Sequence, residues 1–422
     1  MHHNDLVCLQ FRPARQRCLA IAVAICGVAV VASTPASPAT TYWDGAHLAR
    51  LRAGDPKADA RTTASLEQVH EKARSALKRG PYSVVDKTLV PPSGDKHDYA
   101  SYGRYWWPNP DTNDGLPYVR RDGKVNRAML SAGDRVRLAD FCDDLEALAL
   151  GAYVHTDSRY AEHGANLVRV WFLDEATRMR PRIRFGQAVP GRSEGRGAGV
   201  LDARNFIRVI DSITLLEAMD AFSRDEQAAL REWFREYAEW LATSPIAAEE
   251  RQADNNHGTW FAAQEGHIAL FNGDAVLARK IVEQARDKRF PRSITPEGTQ
   301  PEELTRTQSL HYCFFNLEAF FSLARVGDRV GVDLWNYTAP SGASLRKAFD
   351  WVSPYPAKQK AWSYPMLDRY SVSDAQSTLF IMAAQKWQNP RYLRLLDKAP
   401  GRYQERHLAP LMFPSYATED AL

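Results

Sequence analysis

From about residue 136 onward, apolar residues recur at helical spacing in stretch after stretch, and this pattern limits the fold more than any other feature of the chain. Leu138, Phe141, Cys142, Leu145, Leu148 and Ala152 fall three or four apart, on one face of a helix. A polar break at Thr156-Asp157-Ser158-Arg159 follows, then a second amphipathic run from Tyr160 to Phe172. The unit recurs as Phe206 to Phe222, a break at Ser223-Arg224-Asp225, and a return through Trp233, Tyr237 and Trp240. His257 to Phe271 breaks at Asn272-Gly273-Asp274 and resumes through Ile281 and Ala285; Gln308 to Val326 breaks at Gly327-Asp328. Amphipathic helices joined by short turns of Gly, Asp, Asn or Ser are helical hairpins. Such hairpins stack into an open solenoid or close into a toroid. Long irregular inserts interrupt these, and inserts of that kind suit the rim of a cleft, which favours closure. Strand signals are sparse. The expectation is an all-α fold: one domain over 40–422, an incomplete (α/α) toroid or barrel of helical hairpins with loop inserts forming a cleft.

Residues 1–39 read as an export signal. Arg12, Arg15 and Arg17 precede an apolar run from Cys18 to Ala32, too short for a comfortable membrane span, and small residues and prolines follow. Cleavage is expected near Ala36 or Ala39, with a periplasmic or secreted mature chain and no stable membrane insertion. Of five cysteines only Cys142 and Cys313 lie beyond this leader. Both sit in apolar helical patterns, so two separately buried thiols are expected in place of a disulfide. No cysteine or histidine spacing suggests a metal site, and no cofactor is expected. A formal net charge of +3 gives no reason to expect nucleic acid, whereas a local basic cleft would attract an acidic polymer.

Two inserts stand out. Tyr99 to Pro110, continuing through Gly115-Leu116-Pro117-Tyr118, holds too many Pro, Gly and Asn residues for a helix. Its Tyr105-Trp106-Trp107 suits a wall against which sugar rings pack, or a loop pinned to the body by its rings. Phe185 to Gly199 carries glycines that let backbone approach a ligand, together with Gln187 and Arg196 as candidate binding groups.

The chemistry-bearing residues gather in Asn255-Asn256-His257-Gly258-Thr259-Trp260 and Arg306-Thr307-Gln308-Ser309-Leu310-His311-Tyr312. A 4-linked hexuronate loses its C5 proton only when the adjacent carboxylate is neutralised, a base stands at C5 and an acid at the glycosidic O4. Asn256, His257 and Arg306 offer neutralisation, His257 also a base, and Tyr312 a proton donor or acceptor. Trp260 shares a helical face with His257, and His311 adjoins Tyr312; both are further binding candidates. Arg306 and Tyr312 face one site only if Arg306 lies at or before the helix start, and Pro296 and Pro301 favour such a late start. A rival reading pairs carboxylates from Asp254, Glu297, Glu302 and Glu303 for glycoside hydrolysis. A non-catalytic polysaccharide-binding protein is a third.

The Asn255–Trp260 string, with Gln300 to Arg306 and His311-Tyr312, resembles the alginate-lyase superfamily, most nearly polysaccharide lyase family 38. The likeness extends to Tyr105–Pro110, Asp114–Tyr118 and Trp171-Phe172-Leu173-Asp174. It implies an α/α toroid with its cleft on one face, no obligatory metal, and an acidic polysaccharide substrate cleaved by β-elimination to 4,5-unsaturated ends. It also implies that Asn256, His257, Arg306 and Tyr312 are the functional quartet. The tyrosine then serves as acid, and as base too for β-D-mannuronate or β-D-glucuronate, while the histidine is better placed for α-L-guluronate. The arginine-to-tyrosine gap is one residue shorter than in the alginate lyases that the chain resembles, which leaves glucuronan beside polymannuronate as an expected substrate.

Overall fold

The computed structural model describes Met1, residues 36–401, residues 408–414 and Tyr416. The export-signal reading therefore falls almost wholly outside the described residues. The chain divides into Met1–Thr34 and Pro35–Leu422, and every helix and strand among the described residues belongs to the second unit. Among the described residues no helix is long and apolar enough to cross a membrane.

The helices follow from the apolar periodicity. The long α4 (Arg135–His155) buries all six residues that its spacing marked. It packs on α2 (Ala60–Ala76), α5 (Ser158–Val168) and α6 (Phe206–Glu217). The turns fall where the polar breaks predict them. Asp157 caps α5, Asp274 caps α10 (Ala275–Gln284), and Ser223 with Glu226 forms a reciprocal capping box on α7 (Arg224–Thr243). At the centre α9 (Asn256–Phe271) packs on α6, α7, α10 and α13 (Ser309–Val330), and α13 continues to α14 (Leu345–Val352) and α15 (Asp374–Lys386). The succession returns on itself, because α17 (Ala409–Met412) packs on both α1 (Gly45–Arg52) and α2. The fold is thus a mostly helical (α/α) toroid.

One predicted break is absent. α13 runs through Gly327-Asp328 to Val330. Gly327 is there for close packing: a Cβ on it would sit 2.3 Å from the Val332 carbonyl oxygen. The Asp328 carboxylate is held by Arg325, Lys386 and the Trp335 indole, so it does not compete for the backbone. The stop comes from Gly331, whose φ of 72° ends the helix in the left-handed region.

The inserts carry the few strands. β1 (Ala100–Tyr102) pairs in parallel with β4 (Phe185–Ala188), which ties the two inserts together, while β2 (Trp106–Trp107) and β3 (Val119–Arg120) form a small antiparallel hairpin. Cys142 and Cys313 are free and buried in separate helices.

A polar pin crosses the core. The Asp211 carboxylate on α6 accepts hydrogen bonds from the Thr41, Tyr42 and Trp43 amides and from the Thr41 hydroxyl. The same hydroxyl lies 2.8 Å from His267 Nδ1 on α9, and the other ring nitrogen lies 2.8 Å from the Ser322 hydroxyl on α13. Burial lowers the His267 pKa to about 3, so the ring is a neutral bridge. Asp211→Ala orphans three buried amides and is expected to cost about 3 kcal/mol in urea unfolding. A loss below about 0.5 kcal/mol would show that the segment 41–43 is anchored by its apolar contacts alone.

Candidate active site

Two helix starts meet at one cavity. α8 (Pro245–Gln252) begins on a proline, ends before Ala253-Asp254, and hands the chain to α9 through Asn255, whose side chain caps the His257 amide. Gly258 makes the approach possible: a Cβ there would sit 2.2 Å from the Ala253 carbonyl oxygen and 2.3 Å from an Arg289 guanidinium nitrogen. The second start is that of α13. The short α12 (Pro301–Leu304) ends at Thr305, and Arg306 to Gln308 form an irregular turn that leads to Ser309. Arg306 thus precedes the helix, as the sequence requires, and Tyr312 sits one turn inside it. The turn is held by a bridge between Gln308 and Met366 and by Pro365, whose carbonyl accepts from the Ser309 amide and hydroxyl.

The first start, that of α9, is fixed by two buried carboxylates. Glu303 accepts from the Asn256 amide at 2.6 Å and from its side-chain Nδ2 at 2.7 Å. Glu250, on α8 and 3 % exposed, lies 2.6 Å from His257 Nδ1. An ionised carboxylate only accepts, so a neutral His257 carries its proton on Nδ1 and leaves Nε2 as the basic nitrogen.

The β2–β3 hairpin brings the third wall. The Tyr105 hydroxyl lies 3.0 Å from the Tyr312 hydroxyl. Asp122, just past β3, accepts from Arg306 and from the Thr307 hydroxyl and so locks the hairpin to the α13 start. The Arg306 guanidinium stands 3.7 Å from the centre of the Tyr312 ring. Burial pushes the Tyr312 pKa well above its ordinary value, while the Arg306 charge acts to lower it. At neutral pH Tyr312 is a protonated phenol with a cation ready to offset its anion.

The cavity between these walls has a volume of about 510 Å3. Six arginines line it (Arg104, Arg120, Arg135, Arg196, Arg204 and Arg306) against a single carboxylate, Glu250. It is shaped and charged for an anion. Gln187 and Arg196 line it through a relay: Arg196 donates to the Gln187 side chain, and Gln187 donates to Asp202, which also takes the Tyr99 and Ser101 hydroxyls.

Of the residues singled out in the sequence, Asn256, His257, Arg306, Tyr312, Tyr105, Trp106, Gln187, Arg196 and His311 all line this cavity. Two do not. Trp107 turns away, its indole donating to the Lys124 carbonyl, because alternate residues of a strand face opposite sides. Trp260 points into the ring interior, packs 5.2 Å from Phe315 and lines a different cavity. Asn256 is fully buried, and its remaining Nδ2 hydrogen and its Oδ1, which has no hydrogen-bond partner, are the groups it can turn to a ligand. The carboxylate-pair reading fails on placement: none of Asp254, Glu297, Glu302 and Glu303 lines the cavity. Sequence reasoning missed Glu250 and four of the arginines. Arg104 stood next to the aromatic wall and was within reach of that reasoning; the others had no local signal.

The chain matches the family model described as alginate lyase over residues 83–362. An alginate lyase from Bacteroides ovatus is 34% identical, with 90% of this chain and 99% of that chain covered at a TM-score of 0.83. Alginate lyase A1-III from Sphingomonas species A1 is 18% identical, with 92% and 98% covered at a TM-score of 0.56. A histidine-to-alanine variant of A1-III, complexed with a tetrasaccharide, has the same coverage and TM-score at 17% identity. No curated protein matches significantly.

Burial raises the Glu303 pKa to about 7, against the Asn256 hydrogen bonds that lower it. Between about pH 4.5 and this value the folded chain holds a proton that the unfolded chain has released, so stability falls as pH rises through that window. Over about pH 5 to 8 the parent should lose about 3 kcal/mol more than Glu303→Gln in urea unfolding. Equal slopes would show that Glu303 does not titrate there.

Proposed function

The chain belongs to the alginate lyase family and is a polysaccharide lyase, and on that premise we propose that it cleaves a β-1,4-linked polyuronate. Polymannuronate, as in alginate, is the first substrate and glucuronan the second. The observation that carries this is a phenol and a carboxylate-backed imidazole facing one cavity under six arginines. We also read the chain as near polysaccharide lyase family 38, on the Asn255–Trp260 and Tyr105–Pro110 strings.

In the proposed reaction the C5–H bond breaks, its electron pair forms the C4–C5 double bond, and the C4–O4 bond breaks as O4 takes a proton. Arg306, the free Nδ2 hydrogen of Asn256 and a cationic His257 lower the charge of the substrate carboxylate. Tyr312, a phenol at neutral pH, protonates O4. When the C5 proton lies on the same side as O4, Tyr312 removes it as well, its phenolate stabilised by Arg306 and the Tyr105 hydroxyl. When the proton lies opposite, neutral His257 takes it on Nε2, with Glu250 steadying the cation that forms. The dyad thus supports a second reading, in which α-L-guluronate is also cleaved. Trp106 and Arg196 would flank the sugar; their centres lie 5.9 Å apart.

The export signal proposed for residues 1–39 fits a polymeric substrate met outside the cytoplasm, and N-terminal sequencing of the secreted chain tests it. Activity is tested by incubation with polymannuronate, polyguluronate, glucuronan and hyaluronan, following the absorbance of the conjugated double bond. Cleavage of polymannuronate with rising absorbance is expected. New reducing ends without absorbance would mean a hydrolase, and retention of polymer with neither would mean a binding protein. Tyr312→Phe should lower kcat by about a thousandfold. An unaffected rate would remove Tyr312 from the proton transfers.

A further inference from the structure

Behind the segment that carries the catalytic asparagine and histidine lies a second groove, of about 710 Å3. The two spaces share one wall of backbone. Ala253, Asn255, Asn256 and His257 line the cavity, whereas Arg251, Gln252, Asp254 and Gly258 line the groove. Its floor is apolar, with Phe261, Ile281 and Leu277, the last 41% exposed. Its rims are cationic: Arg251, Lys280, Lys288, Arg289 and Arg292 stand against two carboxylates, Asp254 and Glu265.

These cations have different duties. Arg289 donates to the Ala253 and Arg251 carbonyls, and Arg251 donates to Leu241 and Glu265, so both hold the wall in place. Lys280, Lys288 and Arg292 are exposed. Arg292 has only a loose pair, 3.7 Å from an exposed Asp254, and neither lysine makes a hydrogen bond or ion pair among the described residues. Exposed cations beside the exposed Leu277 match a polyuronate, which presents a carboxylate on every sugar and an apolar C–H face between them. The geometry points to this groove as a distal binding surface for the same acidic polymer, taking sugars that leave the cavity over Asn255. The inference rests on the polyuronate reading of the cavity and extends it.

The test uses the full chain carrying Lys280→Glu, Lys288→Glu and Arg292→Glu. A control carries Lys57→Glu, Lys78→Glu and Lys398→Glu, three exposed lysines that do not line the groove. On long polymannuronate the groove variant should raise KM about fivefold with kcat unchanged, and added salt should erase the difference. Constants for tri- and tetrasaccharides, too short under this proposal to reach from the cavity into the groove, should stay at parental values, and the control should resemble the parent. Affinity electrophoresis through polymannuronate gels, with Tyr312→Phe in every protein to suppress cleavage, reads binding: the parent should be retarded and the groove variant retarded less. Equal retardation of parent and groove variant, or an equal loss in the control, would overturn the groove. Loss of retardation confined to the groove variant, with a parent that cleaves no polyuronate, would uphold the groove and end the lyase reading instead.

Discussion

The buried carboxylate of Asp211 is the point on which the ring depends. A toroid of helical hairpins has no continuous sheet to fix its members, and the hydrophobic attraction between them is non-directional. Asp211 gathers three successive backbone amides of the segment 41–43 and, through Thr41 and His267, reaches α9 and α13. Those two helices carry the site at their N-terminal ends. A neutral imidazole is suited to this position because it donates on one side and accepts on the other without bringing a charge into the core.

The site repeats the device at its own scale. Glu303 and Glu250 each take hydrogen-bonding groups from the first turn of α9, and Asp122 takes them from the approach to α13. The side chains proposed to act are thus set by carboxylates that do not line the cavity, with the exception of Glu250. Each such group is costly to bury and becomes tolerable only with its partners in place, which makes the arrangement specific. Of the cations facing the cavity, Arg120, Arg135 and Arg306 pair with carboxylates, while Arg104, Arg196 and Arg204 form no ion pair among the described residues, and this imbalance is what an acidic sugar would relieve.

The sequence disclosed what local rules control. Apolar spacing located the buried faces of α4 and α9, and polar breaks located three of the turns. The fourth, at Gly327-Asp328, misled because a glycine needed for close packing has the same letter as one needed for a turn. The meeting of Asn256, His257, Arg306 and Tyr312 was legible because an asparagine-rich helix start, a proline-marked one and a family likeness pointed to them together. Glu250 was not, since a helix break separates it from His257 and only the tertiary approach pairs them. Trp260 was misjudged by spacing: three residues from His257 is near enough for a shared helical side, but the ring interior claims that indole. Arg120, Arg135 and Arg204 come from three separate elements, and no sequence distance predicts their convergence.

The contact between Tyr105 and Tyr312 joins an insert to the ring at the seat of the chemistry. One wall of the site therefore hangs on a two-stranded ribbon whose own stability is small, held by Asp122 and a few backbone bonds. Heat that lifts this ribbon would silence the enzyme while the helices remain folded, so the temperature at which turnover ceases is set by the ribbon and lies below the melting point of the body.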